Sequence, residues 1–465
     1  MNMINVRRLT VMTFLGASML SGISAQVSPL QVDTLKETKI PDQWDLQSCI
    51  DYAKEQNITI RKNRITAAST QIDVKTAKAA LFPSLSFSTG QQVVNRPYQE
   101  TSSRVSGSEI ISSNSKTSYN GNYGLNASWT LYNGNKRLKT IQQEKLNNQM
   151  AELDVATSEN NIQESITQVY IQILYAAESV KVNENTLQVS IAQRDRGQEL
   201  LNAGSIAKSD LAQLEAQVST DRYQLVTAQA TLQDYKLQLK QLLELDGENE
   251  MNIYLPALSD ENVLAPLPTK RDVYISALSL RPEIEASKLN VEASELGINI
   301  AKSSYFPTIS LSAGIGTNHT SGSDFTFGEQ VKNGWNNSIG LSISVPIFNN
   351  RQTKSAVQKA KLQYETSMLS LLDEQKALYK TIESLWLDAN SAQQRYAAAN
   401  EKLKSTQISY ELISEQFNLG MKNTVELLTE KNNLLQAQQE QLQAKYMAIL
   451  NTQLLKFYQG DQLAI

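Results

Sequence analysis

The sequence AKAALFPSLSFS at residues 77–88 recurs as AKSSYFPTISLSA at residues 301–313. Two further pairs occur in the same order in both halves of the chain: LNASWTLYN (125–133) with LSISVPIFN (341–349), and Gly204 with Gly420. The paired positions are about 216 to 224 residues apart. Because self-similarity at a nearly fixed spacing indicates a repeated structural unit, the chain is predicted to consist of two copies of one unit.

The repeat divides the chain into predicted segments: a signal peptide at 1–25, an N-terminal extension at 26–43, a first repeat at 44–247, an inter-repeat linker at 248–270, a second repeat at 271–460 and a C-terminal tail at 461–465. Arg7 and Arg8 precede an apolar run, and small residues lead to a cut after Ala25, which is typical of an export signal. The alternative is a buried first helix.

Composition excludes several classes of protein. The 465 residues carry a formal net charge of −4 and no run of basic residues, so nucleic acid is not an expected partner. Beyond the N-terminus no apolar stretch is long enough for a spanning helix, which excludes a helical membrane protein. The single cysteine, Cys49, cannot form an internal disulfide and is predicted to be a packing residue.

Alternating apolar and polar residues predict two pairs of strands, around 85–87, 119–131, 309–315 and 339–347. Each is roughly ten residues long, the length that a tilted strand needs to cross a bilayer. The polar face carries small uncharged residues, which suit a water-filled lumen. A soluble sandwich is the alternative, although it would be small for a chain with so much helix. The polar segments at 95–118 and 317–337 are predicted to be exposed loops.

Apolar residues spaced 4, 3, 4, 3 from Leu378 to Phe417 predict a helix with a narrow, supercoiled seam. A similar stripe begins at Ile162 in the first repeat. The predicted long helices are 136–201 and 352–417, which turn at Gly204 or Gly420 and return through 207–245 or 424–458. Such hairpins cannot bury a globular core.

The small number of strands predicts an oligomer. Four strands do not close a barrel, and an open sheet edge in lipid leaves backbone groups unpaired. Two copies would supply about eight strands and three about twelve. A conducting channel favours three copies, because a barrel of about eight strands is filled by its own side chains.

These features resemble the TolC-like outer-membrane efflux proteins of Gram-negative bacteria over about residues 44–460. The resemblance is carried by the duplicated FPS/FPT corners at Pro83 and Pro307, the aromatic-Asn turns in LYNGNKR and IFNNRQ, the two tip glycines, and RPEI at 281–284. One departure is Ile58, which stands where the proline corresponding to Pro282 is usual.

The resemblance implies a mainly α fold with a membrane β-barrel portion, built from duplicated helical hairpins and β-hairpins. It implies a homotrimer, in which a twelve-stranded barrel in outer-membrane lipid joins a trimeric α-helical barrel that extends into the periplasm. The implied function is the exit duct of a tripartite efflux or secretion system, with a periplasmic adaptor and an inner-membrane pump of the RND or ABC type as partners. An adaptor-like periplasmic coiled-coil protein is the alternative.

The resemblance also implies polar ties that close the periplasmic end between the hairpin tips. The matching residues here are Asp210, Lys422 and Lys445, while Phe417 stands in place of a tyrosine and lacks its hydroxyl. Lysine in place of arginine cannot form a bidentate fork, so the ties are expected to be weaker. The alternative is that these are ordinary exposed helix charges.

Glu426 matches the first of two acidic positions that form a constriction in the family, and Thr429 occupies the second. Three copies of Glu426 around an axis would make a cation-selective ring. The alternative is a helix N-terminal charge favoured by the helix dipole.

No catalytic or cofactor-binding constellation is evident. The only histidine, His319, lies in a segment predicted to be an exterior loop, and one histidine with one cysteine would not complete a zinc site. The sequence therefore predicts a passive conduit, not an enzyme, with no cofactor and no metal site. The small polar lining suits drugs, metal ions and unfolded proteins alike.

Overall fold

The computed structural model describes residues 41–98, 102–106, 109–113, 116–246, 251–256, 263–321, 323 and 325–463. The predicted signal peptide and most of the predicted N-terminal extension lie outside the described residues. Within these ranges, the α-helices are α1 Leu46–Gln56, α2 Ile58–Ala79, α3 Lys136–Asn202, α4 Lys208–Leu242, α5 Lys270–Leu280, α6 Pro282–Lys302, α7 Phe327–Asn333, α8 Gln352–Asn418 and α9 Thr424–Gln459. The strands are β1 Ser84–Asn95, β2 Ser102–Ser106, β3 Glu109–Ser113, β4 Thr117–Asn133, β5 Thr308–Thr320 and β6 Asn336–Ser344.

The predicted mainly helical fold is confirmed, and its largest elements are two helical hairpins. Hairpin 1 consists of α3 and α4, and hairpin 2 consists of α8 and α9. The helices α3 and α8 have 67 residues each and begin and end within a residue or two of the predicted bounds. The predicted apolar stripe on α8 is buried at Leu378, Ile382, Ala389, Ala392, Tyr396, Ala399 and Phe417. None of the helices in the described ranges combines the length and apolarity needed to span a membrane.

The two hairpin tips have the same backbone geometry. Gly204 has φ +72° and Gly420 has φ +73°, a left-handed conformation that glycine adopts without steric cost. The residue after each glycine donates its N–H back into the last turn, from Ser205 to the Leu200 carbonyl at 2.8 Å and from Met421 to that of Gln416 at 2.9 Å. These are the hydrogen bonds of a Schellman motif, which satisfy carbonyl groups at each helix end.

The corner residues lie between helix and strand. Pro83 follows the end of α2 and precedes β1, while Pro307 follows a single 3₁₀ turn after α6 and precedes β5. A proline disfavours helical dihedrals in the residue before it, and Phe306 accordingly has the extended values φ −93° and ψ 157°. Helix and strand therefore meet abruptly at each corner.

The four predicted strands form one antiparallel sheet in the order β1-β4-β5-β6. The register places the apolar residues of neighbouring strands opposite one another, with Leu125 between Phe87 and Ile315, and Leu311 opposite Leu341. One face of the sheet is consequently apolar. Most of its side chains are exposed in the single chain, including Leu341 at 61%. The last strand ends at Ser344, short of the predicted residue 347, because it has run out of partners opposite β5.

The two predicted loops contain secondary structure. The segment 95–118 includes the antiparallel hairpin of β2 and β3. The segment 317–337 includes the end of β5 and the short helix α7, which begins at a capping box where the side chains of Thr326 and Glu329 each accept the backbone N–H of the other. His319 is therefore not in an exterior loop. It lies in β5, buried beside Tyr119, Tyr123 and Phe327.

Helix α1 packs into a hydrophobic cluster with residues of α3, α4 and α9, and Cys49 is fully buried there, as predicted. Asn57 compensates for the missing proline at the start of α2. Its side-chain oxygen accepts the backbone N–H groups of Thr59 at 2.9 Å and Ile60 at 3.4 Å. An asparagine N-cap thus starts this helix, whereas Pro282 occupies the first turn of α6.

Candidate functional site

At the tip of hairpin 2, Glu426 closes the first turn of α9. Its backbone N–H donates to the Asn423 side chain at 2.9 Å, and its own carboxylate accepts the Asn423 N–H at 3.3 Å. The Lys422 ammonium donates to the same carboxylate at 2.5 Å. The lysine hydrogen bond, then the Asn423 backbone bond, hold the pKa of Glu426 below its usual range. Glu426 is therefore a charged, half-exposed capping residue in the single chain.

At the tip of hairpin 1, Asp210 caps α4. Its carboxylate accepts the Ala207 backbone N–H at 3.0 Å. Lys422 and Asp210 each make their polar contacts within their own hairpin, so the single chain does not bring these two predicted gate residues together.

The other two predicted gate residues are buried. Phe417 is 3% exposed and lies in the last turn of α8, three residues before Gly420. Lys445 is 9% exposed and lies far along α9, on the order of 35 Å from Gly420 at the helical rise. The structure therefore places Lys445 away from the tips.

A buried ionic contact that the sequence analysis missed joins the two hairpins. Lys431 on α9 donates to the side chains of Asp221 on α4 and Ser190 on α3, and the Ser190 hydroxyl donates to the same Asp221 oxygen. The three side chains, here called the inter-hairpin triad, are all buried, with Asp221 2%, Ser190 2% and Lys431 3% exposed. Among the described residues, no other ion pair has both side chains this deeply buried.

Neighbouring polar contacts extend this connection. The Gln217 side chain donates to Asp221 at 2.9 Å and to Asn432 on α9 at 3.3 Å. Gln193 on α3 donates to the Tyr410 hydroxyl on α8 at 2.8 Å. Burial lowers the pKa of Lys431, while the Asp221 carboxylate opposes that shift by stabilising the ammonium. The charged form of Lys431 is thus stabilised by the Asp221 carboxylate and not by solvent.

The sequence contained a signal for the triad. Each member continues the 3- and 4-residue spacing of a buried stripe: Ser190 follows Leu187, Asp221 follows Val218, and Lys431 follows Leu427. A charged residue at a seam position of a long helix requires a buried partner. For Lys431 that partner is Asp221, which occupies a seam position on another helix.

The corners above the hairpins are also built alike. Gly134 and Asn135 have φ +67° and +63°, and Asn350 and Arg351 have φ +50° and +65°. A pair of left-handed residues therefore starts each long helix. The Trp129 indole N–H donates to the Leu81 carbonyl at 2.7 Å, which fixes β4 against the first proline corner.

Comparison with known proteins agrees with this architecture. The family described as outer membrane efflux protein matches residues 49–244 and 273–460. BepC of Brucella suis, an outer membrane efflux protein, is 23% identical over 64% of this chain and 62% of its own length, and the outer membrane protein TolC of Escherichia coli is 24% identical over 61% and 58%. The chain thus spans about three fifths of each relative.

A crystal structure of CusC superposes with a TM-score of 0.76 at 19% identity, covering 90% of this chain and 92% of that one. This similarity shows a shared fold. The family match covers both predicted repeats, including their strands, which does not favour a periplasmic adaptor. The chain therefore belongs to the outer membrane efflux protein family, as its resemblance predicted, and is located in the outer membrane.

Proposed function

We propose that the chain is the outer-membrane exit duct of a tripartite efflux or secretion system. The observation that carries the proposal is one antiparallel sheet with an exposed apolar face, whose strands β4 and β6 lead into two 67-residue helices that each form a hairpin. The apolar face suits lipid, and the hairpins are long enough to reach across a periplasm.

The duct is proposed to be a homotrimer. Strands β1 and β6 lie at the two edges of the four-stranded sheet, so each has one side without a partner in that sheet. Such edges are not tolerated in lipid, and pairing β6 of one copy with β1 of the next satisfies both. Three copies close a barrel of about twelve strands, which leaves an open lumen. The same symmetry arranges the hairpins as a helical barrel below it.

The proposed partners are a periplasmic adaptor and an inner-membrane pump of the RND or ABC type. The duct itself is proposed to act passively, because it needs only a continuous lumen and a closable end. The tip residues Asp210, Lys422 and Glu426 are exposed or half-exposed in the single chain, so contacts between copies are open to them. We assign these residues to the closed periplasmic end.

The experiment is expression of the full chain in a Gram-negative host, followed by outer-membrane isolation. We expect an oligomer that resists SDS without heating, three times the mass of the boiled chain, and single-channel currents after reconstitution. A monomer in the outer membrane, or an oligomer without currents, would contradict the proposed duct.

A further inference from the structure

The inter-hairpin triad lies above the tips, not at them. Along their helices, Ser190 and Lys431 each lie roughly 15–20 Å from the tip glycine of their own hairpin. Ser190 comes before Gly204, and Lys431 comes after Gly420. At this level α9 crosses from hairpin 2 to contact both helices of hairpin 1. The triad is thus a contact between hairpins within one copy of the chain.

Every polar group of the triad has a partner. One oxygen of the Asp221 carboxylate accepts from Ser190 and Lys431, and its other oxygen accepts from Gln217. Removing either Lys431 or Asp221 leaves the other charge buried without its counter-ion, which is costly, whereas removing both charges does not. The hairpins can therefore separate at this level only by exposing or unpairing these groups.

Among the contacts of the described residues, none at the tips joins the two hairpins through a buried ion pair. Lys422 pairs with Glu426 only four residues away, and Asp210 caps its own helix. Both contacts are solvent-exposed and remain intact when the hairpins move apart. The buried triad, supported by the Gln217–Asn432 and Gln193–Tyr410 hydrogen bonds, therefore resists separation of the hairpins more than the tip contacts do.

We propose that Ser190, Asp221 and Lys431 form an internal lock, which holds hairpin 1 and hairpin 2 of one copy together and keeps the periplasmic end closed. The effect on closure rests on the proposed function as a duct. The lock itself is a property of the single chain. Because the triad is buried, it acts by holding the helices together and contributes no exposed charge to a lumen.

The first test measures the lock without reference to conduction. Lys431→Met removes the cation at similar side-chain length, and hydrogen exchange is measured on the purified full-length protein. We expect faster exchange in α4 and α9 on both sides of the triad. Lys402→Met is the matched control, because Lys402 pairs with Glu440 at 2.7 Å inside hairpin 2, with both side chains about 40% exposed. It should leave exchange between the hairpins unchanged.

The second test measures closure in planar bilayers. Lys431→Met and Asp221→Asn should each raise the mean current roughly twofold or more, because each leaves an unpaired buried group. The double variant Lys431→Met/Asp221→Asn leaves no buried charge and should lie nearer to the parent. It also keeps the test available if a single variant does not assemble. Parental exchange and parental current in the assembled single variants would overturn the lock.

A crosslink distinguishes loss of the lock from other causes of leakage. Gln217→Cys and Asn432→Cys place thiols where two side chains now meet between the hairpins, and the native Cys49 is fully buried. A short bismaleimide should restore the parental current in the Lys431→Met background. A leak that persists after complete crosslinking would show that hairpin separation is not its cause. If the parent forms no pore, the proposed duct fails, while the exchange result still decides the lock.

Discussion

The Arg281 guanidinium lies 3.5 Å from the centroid of the Tyr458 ring and forms an ion pair with Glu164 at 3.0 Å. Arg281 is the residue between α5 and α6, Tyr458 is near the end of α9, and Glu164 is on α3. One 5% exposed side chain thus connects three parts of the fold that are distant in sequence. The RPEI motif, which supported the resemblance, has this structural role.

We predict that Arg281→Ala destabilises the protein by about 3 kcal/mol, the lower end for breaking a buried ion pair, because Glu164 is still a quarter exposed. Arg281→Lys should have a smaller effect, since it keeps the charge but loses the planar stacking. Thermal loss of the helical circular dichroism signal measures both variants. Equal melting temperatures for the parent and Arg281→Ala would contradict the prediction.

The same site predicts a pH dependence. Burial raises the pKa of Glu164, against the opposing effect of Arg281, so the native state binds this proton more readily than the unfolded state does. Stability from this group therefore rises as pH falls through the raised pKa. Without Arg281 the pKa should rise further, and the deficit of Arg281→Ala should be smaller at about pH 5 than at about pH 8.

The faces of the sheet predict opposite responses to charge. Leu341→Arg or Ile343→Arg should impair membrane insertion, because arginine facing lipid at mid-bilayer costs about 2–4 kcal/mol. Ser342 points to the other face and lies opposite Ser310, so Ser342→Arg should be tolerated. The amount of SDS-resistant oligomer in outer-membrane fractions measures the difference. Equal losses at Leu341 and Ser342 would show that the lipid face is assigned wrongly.

The long helices and the sheet could be predicted because their signals are periodic. The stripe from Leu378 to Phe417 has one spacing throughout, and glycine at 204 and 420 is the residue that a left-handed turn favours. The strands could be predicted for the same reason, since their residues alternate around Leu125 and Leu341.

The remaining features depend on contacts between distant residues. The helix α7 has few residues, and its start rests on the pairing of Thr326 with Glu329 in a segment that otherwise has the composition of a loop. The burial of His319 depends on Gly121 opposite it, where a Cβ atom would overlap the imidazole. The seam spacing marks Ser190, Asp221 and Lys431 one by one, but Ser190 and Lys431 are more than two hundred residues apart, and no local pattern encodes which residues pair.

The gate prediction remains to be tested. Asp210→Ala together with Lys422→Ala should raise the conductance of the closed channel if these residues tie neighbouring copies, although exposed pairs contribute little individually. Asp210→Asn is the matched control, because its amide oxygen can still cap the Ala207 N–H at the start of α4 without a charge. Unchanged conductance in the double variant would remove both residues from the gate.

Glu426 predicts a cation block. Three carboxylates near a threefold axis should attract divalent and trivalent cations more strongly than one exposed carboxylate. The block should be moderate, because Lys422 already pairs with each carboxylate and Thr429 adds no second acidic ring. Glu426→Gln should relieve block from the periplasmic side and leave the oligomer intact. If the cations block the Glu426→Gln channel as tightly as the parent channel, Glu426 serves only as a helix cap.

The block should also depend on pH in a defined direction. Because Lys422 and the Asn423 backbone lower the pKa of Glu426, the carboxylate stays charged at pH values where a free glutamate takes up a proton. The block should therefore persist through the pH range in which a free glutamate takes up a proton, and be lost only at lower pH. Lys422→Met removes the largest cause of that pKa shift and also removes the cation that pairs with Glu426. Cations should therefore block the Lys422→Met channel more strongly at neutral pH, and this block should fade at a higher pH than in the parent. Titration of the block in planar bilayers measures this, and the same midpoint in both proteins would mean that Lys422 does not control the charge of Glu426.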